Sequence, residues 1–218
     1  PKNLKELSVK KLFKKTDSYE KLLFKNLEVS PSNENILYEL ASYYKSRKEY
    51  EKSLKTYEKL IKDFGVNDRV LFLYASNLDK VKKWKDAKNL FLKLLKKNPK
   101  DTYALNYVSY KLALRGEELE YAFNLIKKAV SLEPENGYFL DTIGWVEFKR
   151  KNFKNAVFYL EKAASILPNS AEILDHLGDC YFKLGRKREA IYQWERALKY
   201  EDDKIVIKRI SQKILEND

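Results

Sequence analysis

The chain reads LDTIGWVEFKRKNFKNAVFYLEKAASILP at residues 140–168 and repeats the pattern as EILDHLGDCYFKLGRKREAIYQWERAL at residues 172–198. Gly144 and Gly178 mark the same position, 34 residues apart, and a small residue, a large apolar residue and an alanine follow each at equal offsets. Apolar and small residues three or four positions apart share one face of an α-helix. Each stretch is therefore predicted to form two helices joined by a short turn.

The same pattern continues upstream with a period of 34 or 35 residues. A small residue in the first helix recurs at Ala41, Ala75, Ser109, Gly144 and Gly178, and one in the second helix at Ser53, Ala87, Ala122, Ala156 and Ala190. Prolines that would end the second helix stand at Pro31, Pro99, Pro134 and Pro168, with Gly65 at the remaining position. One hairpin cannot bury its apolar face alone, so hairpins with such a period stack on one another.

The period, the small-residue positions and the closing proline together resemble the tetratricopeptide repeat family over roughly residues 34–204. The resemblance implies an all-α fold, a right-handed superhelical solenoid of stacked antiparallel helix hairpins. Five repeats are expected, at residues 34–67, 68–101, 102–136, 137–170 and 171–203. Residues 1–33 are expected to form a degenerate N-terminal repeat or cap, and residues 204–218 a C-terminal capping helix.

The sequence of residues 104–145 also resembles that of bacterial envelope members of this family, which include lipoproteins that act as adaptors. The location therefore stays open between the cytoplasm and the periplasm or envelope of a bacterium. The chain begins with Pro1 and contains no methionine, which predicts that it is an excised or processed piece of something longer. It has no run of 18 apolar residues that would predict a transmembrane segment.

The composition argues against catalysis. Cys180 is the only cysteine and His176 the only histidine, which excludes an internal disulfide and a cysteine-based zinc site and removes most metal sites and catalytic triads. Cys180 is expected to be a small buried apolar residue, and His176 to line a helix surface. The glycines all have structural roles in the repeat, so none is left for a phosphate-binding loop. We predict no enzyme activity, no cofactor and no metal.

The chain has a net charge of +12, and most of the positive excess lies in its N-terminal half, in residues 1–30 and 68–101. Residues 68–101 contain ten basic and four acidic side chains. A possible patch for an anionic partner is formed by Lys80, Lys82, Lys83, Lys85 and Lys88. The alternative is that these lysines only keep the surface soluble. Nucleic acid is disfavoured because arginine is scarce and no RNA-binding repeat code is present.

The resemblance places a partner-binding groove along the first helices of the repeats. It implies that the groove residues are Tyr38, Phe72, Asn106, Tyr110, Asp141, Trp145, Asp175 and Asp179. Tyrosine and tryptophan dominate many interfaces, and the acids favour a partner segment with basic and apolar side chains. Trp145 and Tyr110 are the preferred candidates for exposed contacts, whereas Phe148 and Phe182 are expected to pack between helices.

These observations favour a non-catalytic scaffold or adaptor that binds a partner protein or peptide. One alternative is a regulatory repeat domain of a larger enzyme or assembly whose catalytic part is absent here. Another is binding of an anionic surface or nucleic acid by the basic N-terminal half. Self-association through the ends of the solenoid also stays open.

Overall fold

The computed structural model describes residues 16–30 and 33–217, and within these residues every regular element is a helix. The helices are α1 (Thr16–Val29), α2 (Glu34–Ser46), α3 (Tyr50–Phe64), α4 (Asp68–Lys80), α5 (Trp84–Lys97), α6 (Thr102–Arg115), α7 (Leu119–Leu132), α8 (Gly137–Lys149), α9 (Phe153–Ile166), α10 (Ala171–Lys183), α11 (Lys187–Leu198) and α12 (Lys204–Leu215). The predictions for Pro31 and for residues 1–15 of the N-terminal cap lie outside the described residues.

The chain divides into two compact units, one ending at Lys97 and one beginning at Asn98. In unit 1, α2 packs on α3 and α4 packs on α5, while α3 joins the two pairs. In unit 2, the pairs are α6–α7, α8–α9 and α10–α11, and α12 packs on α11. The predicted all-α fold of stacked helix hairpins is confirmed. The exact repeat boundaries stay a prediction.

Short polar side chains and left-handed turns set the ends of the helices. Asp101 accepts a hydrogen bond from the Ala104 N–H at 2.9 Å, which satisfies a donor that the first turn of α6 leaves unpaired. Each turn inside a hairpin contains a residue in the left-handed region, and these residues are Lys48, Lys82, Gly116, Lys151 and Gly185; the α6–α7 turn contains a second one, Glu118. Lys82, a member of the predicted patch, is therefore also a strained turn residue with a φ of 65°.

The two glycines of the repeat lie where paired helices come closest. A Cβ atom on Gly178 would stand 2.5 Å from Trp194 Cδ1 and 3.1 Å from the Ala190 carbonyl oxygen. A Cβ atom on Gly144 would stand 2.7 Å from Leu160 Cγ. The small residues thus permit a close helix crossing, as the period predicts.

In unit 1 a polar side chain takes one of the small-residue positions. Ser53 is fully buried, and its hydroxyl donates to the Ala41 carbonyl oxygen at 2.7 Å across the α2–α3 crossing. The Asn77 amide in α4 donates to the same Ser53 oxygen at 2.6 Å. This serine therefore links helices of two successive hairpins.

One hydrophobic core cluster of unit 2 runs from α8 to α12. It contains the fully buried Leu160, Cys180 and Trp194, and Ile210 of α12 closes it. The expectation that Cys180 is a buried apolar residue is confirmed, and burial, followed by the charges of Asp179 and Asp141, raises the pKa of its thiol. In the described part of the chain, no helix is both long and apolar enough to cross a membrane.

Candidate functional site

The two groove residues predicted in unit 1 lie on successive first helices, α2 and α4. Tyr38 is half-buried, and the Arg69 guanidinium carbon lies 4.3 Å from the centre of its ring. Phe72 is also half-buried, and its ring meets that of the core residue Phe91 edge-on at 5.3 Å. Phe72 is therefore largely committed to packing inside its own hairpin, whereas Tyr38 keeps an accessible face.

The predicted lysine patch surrounds the α4–α5 turn. Lys80, Lys82, Lys83 and Lys85 are exposed, and in the described part of the chain none of the four forms an ion pair. Lys88 is half-buried one helical turn further on. Burial first, and then repulsion from Lys80, lowers the pKa of the nearby Lys45 ammonium. The four exposed lysines thus form a region of positive charge, and binding of an anionic partner by the patch stays a prediction.

Most of the groove residues predicted in unit 2 come together on α6, α8 and α10. We call the following set the acid–aromatic cluster: Tyr110, Asp141, Trp145, Glu172, Asp175 and His176. A cavity of about 270 Å³ opens beside it, and its wall also includes Leu114, Ala171, Glu201, Val206 and Arg209. Among the described residues, three carboxylates thus line the cavity against a single guanidinium group.

His176 is buried inside this cluster, so the expectation that it lines a helix surface is wrong. Its Nδ1 atom lies 2.8 Å from Asp141 Oδ1, and both side chains are 8% exposed. Since an ionised carboxylate can only accept, Nδ1 is the donor. Burial alone would lower the pKa of His176, but Asp141, Glu172 and Asp175 outweigh that effect and raise it above 6.5.

Trp145 is also buried, in contrast to its expected role as an exposed groove contact. Its side chain is 8% exposed because the indole lies between two other rings. The His176 ring stacks on it at 4.0 Å between centroids and the Phe148 ring at 4.7 Å. The Lys149 ammonium lies 4.9 Å from the indole centre. Trp145 therefore forms part of the cavity wall as a packed residue.

Two polar atoms of this region have no partner among the described residues. One is the indole N–H of Trp145, a donor, and the other is the Asn106 side-chain oxygen, an acceptor. Asn106 lies on α6, one turn before Tyr110. Buried groups left in this state cost about 1–3 kcal/mol each, and most native structures contain few of them.

Tyr110 and Glu172 connect α6 to α10. The Tyr110 hydroxyl donates to the Glu172 carboxylate in a short hydrogen bond. Burial, and then the charge of Glu172, raises the pKa of Tyr110, so its hydroxyl keeps its proton at neutral pH. Glu172 itself is exposed at the start of α10 and retains a free face toward the cavity.

The last two predicted groove acids are already occupied by α12. Asp175 accepts from Arg209 Nη2 at 2.6 Å and from Lys213 Nζ at 2.7 Å. Asp179 accepts from the same Lys213 ammonium and from the Trp194 indole at 3.1 Å. Sequence reasoning identified the acids and the capping helix but missed this contact. The signal was available, because each acid precedes its basic partner by 34 residues, which is one repeat period.

We expect the stability of the protein to fall as the pH rises above 6.5, because of His176. Its folded-state pKa is raised, so the protonated form stabilises the fold, fully below pH 6.5 and progressively less as the pH passes the folded value. Urea unfolding between pH 6 and pH 9 would measure this. His176→Asn keeps a donor for Asp141 but cannot titrate, so its stability should change less. Parallel curves for the two proteins would contradict the expectation.

Within the residues that the structure describes, no three His, Cys, Asp or Glu side chains are grouped so as to hold a metal ion. The cluster is thus a set of acids and aromatic rings around a cavity, suited to contacts with cationic and apolar groups.

Comparisons with known proteins agree with the fold. Family models for the tetratricopeptide repeat match residues 36–65 and 171–204. A comparison with curated proteins gives no match. Tetratricopeptide repeats are protein-interaction modules that are typically non-catalytic.

Several solved structures share the fold. A thermophilic tetratricopeptide repeat protein of Thermus thermophilus has a TM-score of 0.72 and 21% identity, covering 84% of this chain and 100% of that one. A tetratricopeptide repeat protein of Parabacteroides merdae has a TM-score of 0.74 and 17% identity over 94% of this chain and 83% of its own. Yeast Tom70 has a TM-score of 0.71 and 18% identity over 92% of this chain and 43% of its own. Together with the family matches at residues 36–65 and 171–204, these structures show that the chain is built from tetratricopeptide repeats, a fold that in general supports a protein-interaction scaffold.

Proposed function

We propose that the protein recruits a partner protein through the surface of α6, α8 and α10 in unit 2, and that the bound segment carries basic side chains next to apolar ones. The acid–aromatic cluster is the centre of this surface. The role is non-catalytic, and it is the same whether the chain acts alone or within a larger assembly.

The charge around the cavity is the main support for a basic partner. Glu172, Asp175 and Glu201 line the wall, and Arg209 is the only guanidinium group of the described chain that faces them. A partner lysine or arginine entering beside Glu172 would gain a charge-assisted hydrogen bond. The apolar parts of Leu114 and Val206 would contact the stem of that side chain.

The two unpaired polar atoms support a peptide as the ligand. A peptide backbone offers both an N–H donor and a carbonyl acceptor, and the Asn106 oxygen and the Trp145 indole N–H would complement them after a small local movement. Asn106 and Tyr110 lie on the first helix of one hairpin and Trp145 on that of the next. A bound segment would thus cross from one hairpin to its neighbour.

Selection of peptides on the purified protein would test the proposal. A random peptide library displayed on phage would be selected on the wild type, and the selected peptides should be enriched in arginine or lysine beside leucine or aromatic residues. Their affinity should fall about tenfold in Glu172→Gln/Glu201→Gln, since about 1.4 kcal/mol is one charge-assisted contact. Glutamine keeps the shape of each side chain and can still accept the Tyr110 hydrogen bond.

Glu195→Gln is the matched control, because Glu195 is exposed on α11 and does not line the cavity. Its binding should equal that of the wild type. Selection of acidic peptides, or equal binding by all three proteins, would contradict the proposal.

A further inference from the structure

The terminal helix α12 carries two basic residues that pair with two acids of α10: Arg209 pairs with Asp175, and Lys213 pairs with both Asp175 and Asp179. Arg209 and Lys213 are four residues apart and so lie on one face of α12, while Asp175 and Asp179 have the same spacing on α10. Ile210 lies beside Arg209 and is fully buried in the core of unit 2. The contact between α12 and the rest of unit 2 therefore combines a buried apolar residue with two acids that pair with basic side chains four residues apart.

The hold on α12 is limited. Ile210 is the only buried residue of this helix, all of which the structure describes; Val206 and Ile214 pack against the core but are only partly buried, and Ile205 and Leu215 are each 81% exposed. The Arg209 side chain is 55% exposed in its ion pair, and pairs exposed to that degree contribute about 1 kcal/mol or less.

Open space borders α12 on both flanks. The cavity of about 270 Å³ beside the acid–aromatic cluster reaches Val206 and Arg209. A second cavity of about 240 Å³ reaches Lys213 on one side and Phe148 and Phe182 on the other. The helix thus covers its site with incomplete packing, and a ligand with larger apolar side chains would fill more of it.

We propose that α12 is an intramolecular stand-in for the partner, and that the partner binds as a basic amphipathic helix with an arginine and a lysine four residues apart next to an apolar anchor. This deepens the proposed function, on which it rests, by giving the partner its form. While α12 is docked, Asp175 and Asp179 are not available to the partner. Release of α12 exposes both acids, so the docking of this helix controls how tightly the surface binds the partner.

A peptide of residues 201–217 is the probe, because it contains α12 with its capping residue Asp203. Its binding to the full-length chain would be followed by fluorescence anisotropy. The variant Arg209→Gln/Lys213→Gln weakens the protein's own α12 but leaves Ile210 and the acids intact, so it should bind the peptide at least about tenfold more tightly than the wild type.

Lys204→Gln/Lys208→Gln is the matched control. It removes the same charge from α12, but both lysines are exposed and neither pairs with an acid among the described residues. Its affinity for the peptide should equal that of the wild type. A gain in affinity as large as that of the first variant would overturn the proposal, since net charge alone would then explain the effect.

If no peptide binding is seen, hydrogen exchange on the same full-length proteins tests the proposal independently, because it measures how readily α12 opens. The amides of α12 should exchange faster than those of α10 in the wild type, and faster still in Arg209→Gln/Lys213→Gln. Exchange of α12 as slow as that of α10 in both proteins would show a permanent part of the core and overturn the proposal. The outcome is separate from the phage experiment, because Glu172 and Glu201 do not contact Arg209 or Lys213 through any ion pair seen in the described chain.

Discussion

Replacement of Trp145 by alanine is expected to lower the free energy of unfolding by about 3–5 kcal/mol. The indole is 8% exposed and stacks on His176 and Phe148, so its removal leaves a void between α8 and α10. The void also removes the support that holds His176 against Asp141. Urea unfolding followed by far-UV circular dichroism measures the loss without relying on tryptophan fluorescence.

Trp145→Phe is the control for this prediction. A phenyl ring keeps most of the stacking area and eliminates the unpaired indole N–H, so the loss should be about 1–2 kcal/mol. If Trp145→Ala instead lost partner binding with a stability change below about 1 kcal/mol, the tryptophan would be an exposed contact, and its packed role would be disproved.

Gly178→Ala is expected to destabilise the protein by about 1–3 kcal/mol. Inside a helix the same change is normally favourable by about 1 kcal/mol, because alanine has the higher helix propensity. Here the added Cβ would stand 2.5 Å from the Trp194 ring and 3.1 Å from the Ala190 carbonyl oxygen. The indole cannot move away easily, since its N–H donates to Asp179. Thermal or urea unfolding gives the sign directly.

Gly144→Ala provides the comparison within the same protein. Its Cβ would stand 2.7 Å from Leu160 Cγ and 3.2 Å from the Ala156 carbonyl oxygen, and the leucine, which makes the closest contact, can change rotamer. The loss should therefore be smaller than for Gly178→Ala. An unchanged or increased stability of Gly178→Ala would mean that the α10–α11 crossing is wider than the structure has it.

The periodic features of the sequence predicted the fold because they depend on neighbours along the chain. The spacing of Gly144, Ala156 and Leu160 is enough to specify a helix pair and its crossing. The burial of Cys180 followed from the same pattern. These contacts are local or recur at a fixed interval along the chain, so they can be predicted from a single sequence.

The site was harder to predict because its side chains meet across stacked helices. His176 was expected on a helix surface, whereas its hydrogen-bond partner Asp141 lies 35 residues earlier, on another helix. Trp145 was expected in the groove because the resemblance gives positions and not side-chain directions. The pairing of Asp175 with Arg209 could have been found, because residues one period apart lie side by side on adjacent first helices.

The buried hydroxyl of Ser53 has a consequence for how unit 1 comes apart. It accepts from Asn77 while donating to the Ala41 carbonyl, so separation of the second hairpin from the first would strip partners from two buried side chains at once. In a stack of repeats, cooperativity depends on how strong the interfaces are relative to the individual hairpins. Alanine at this position would leave the Asn77 amide unpaired and loosen that coupling. The serine therefore couples the two hairpins, and we expect them to unfold together and not one after the other.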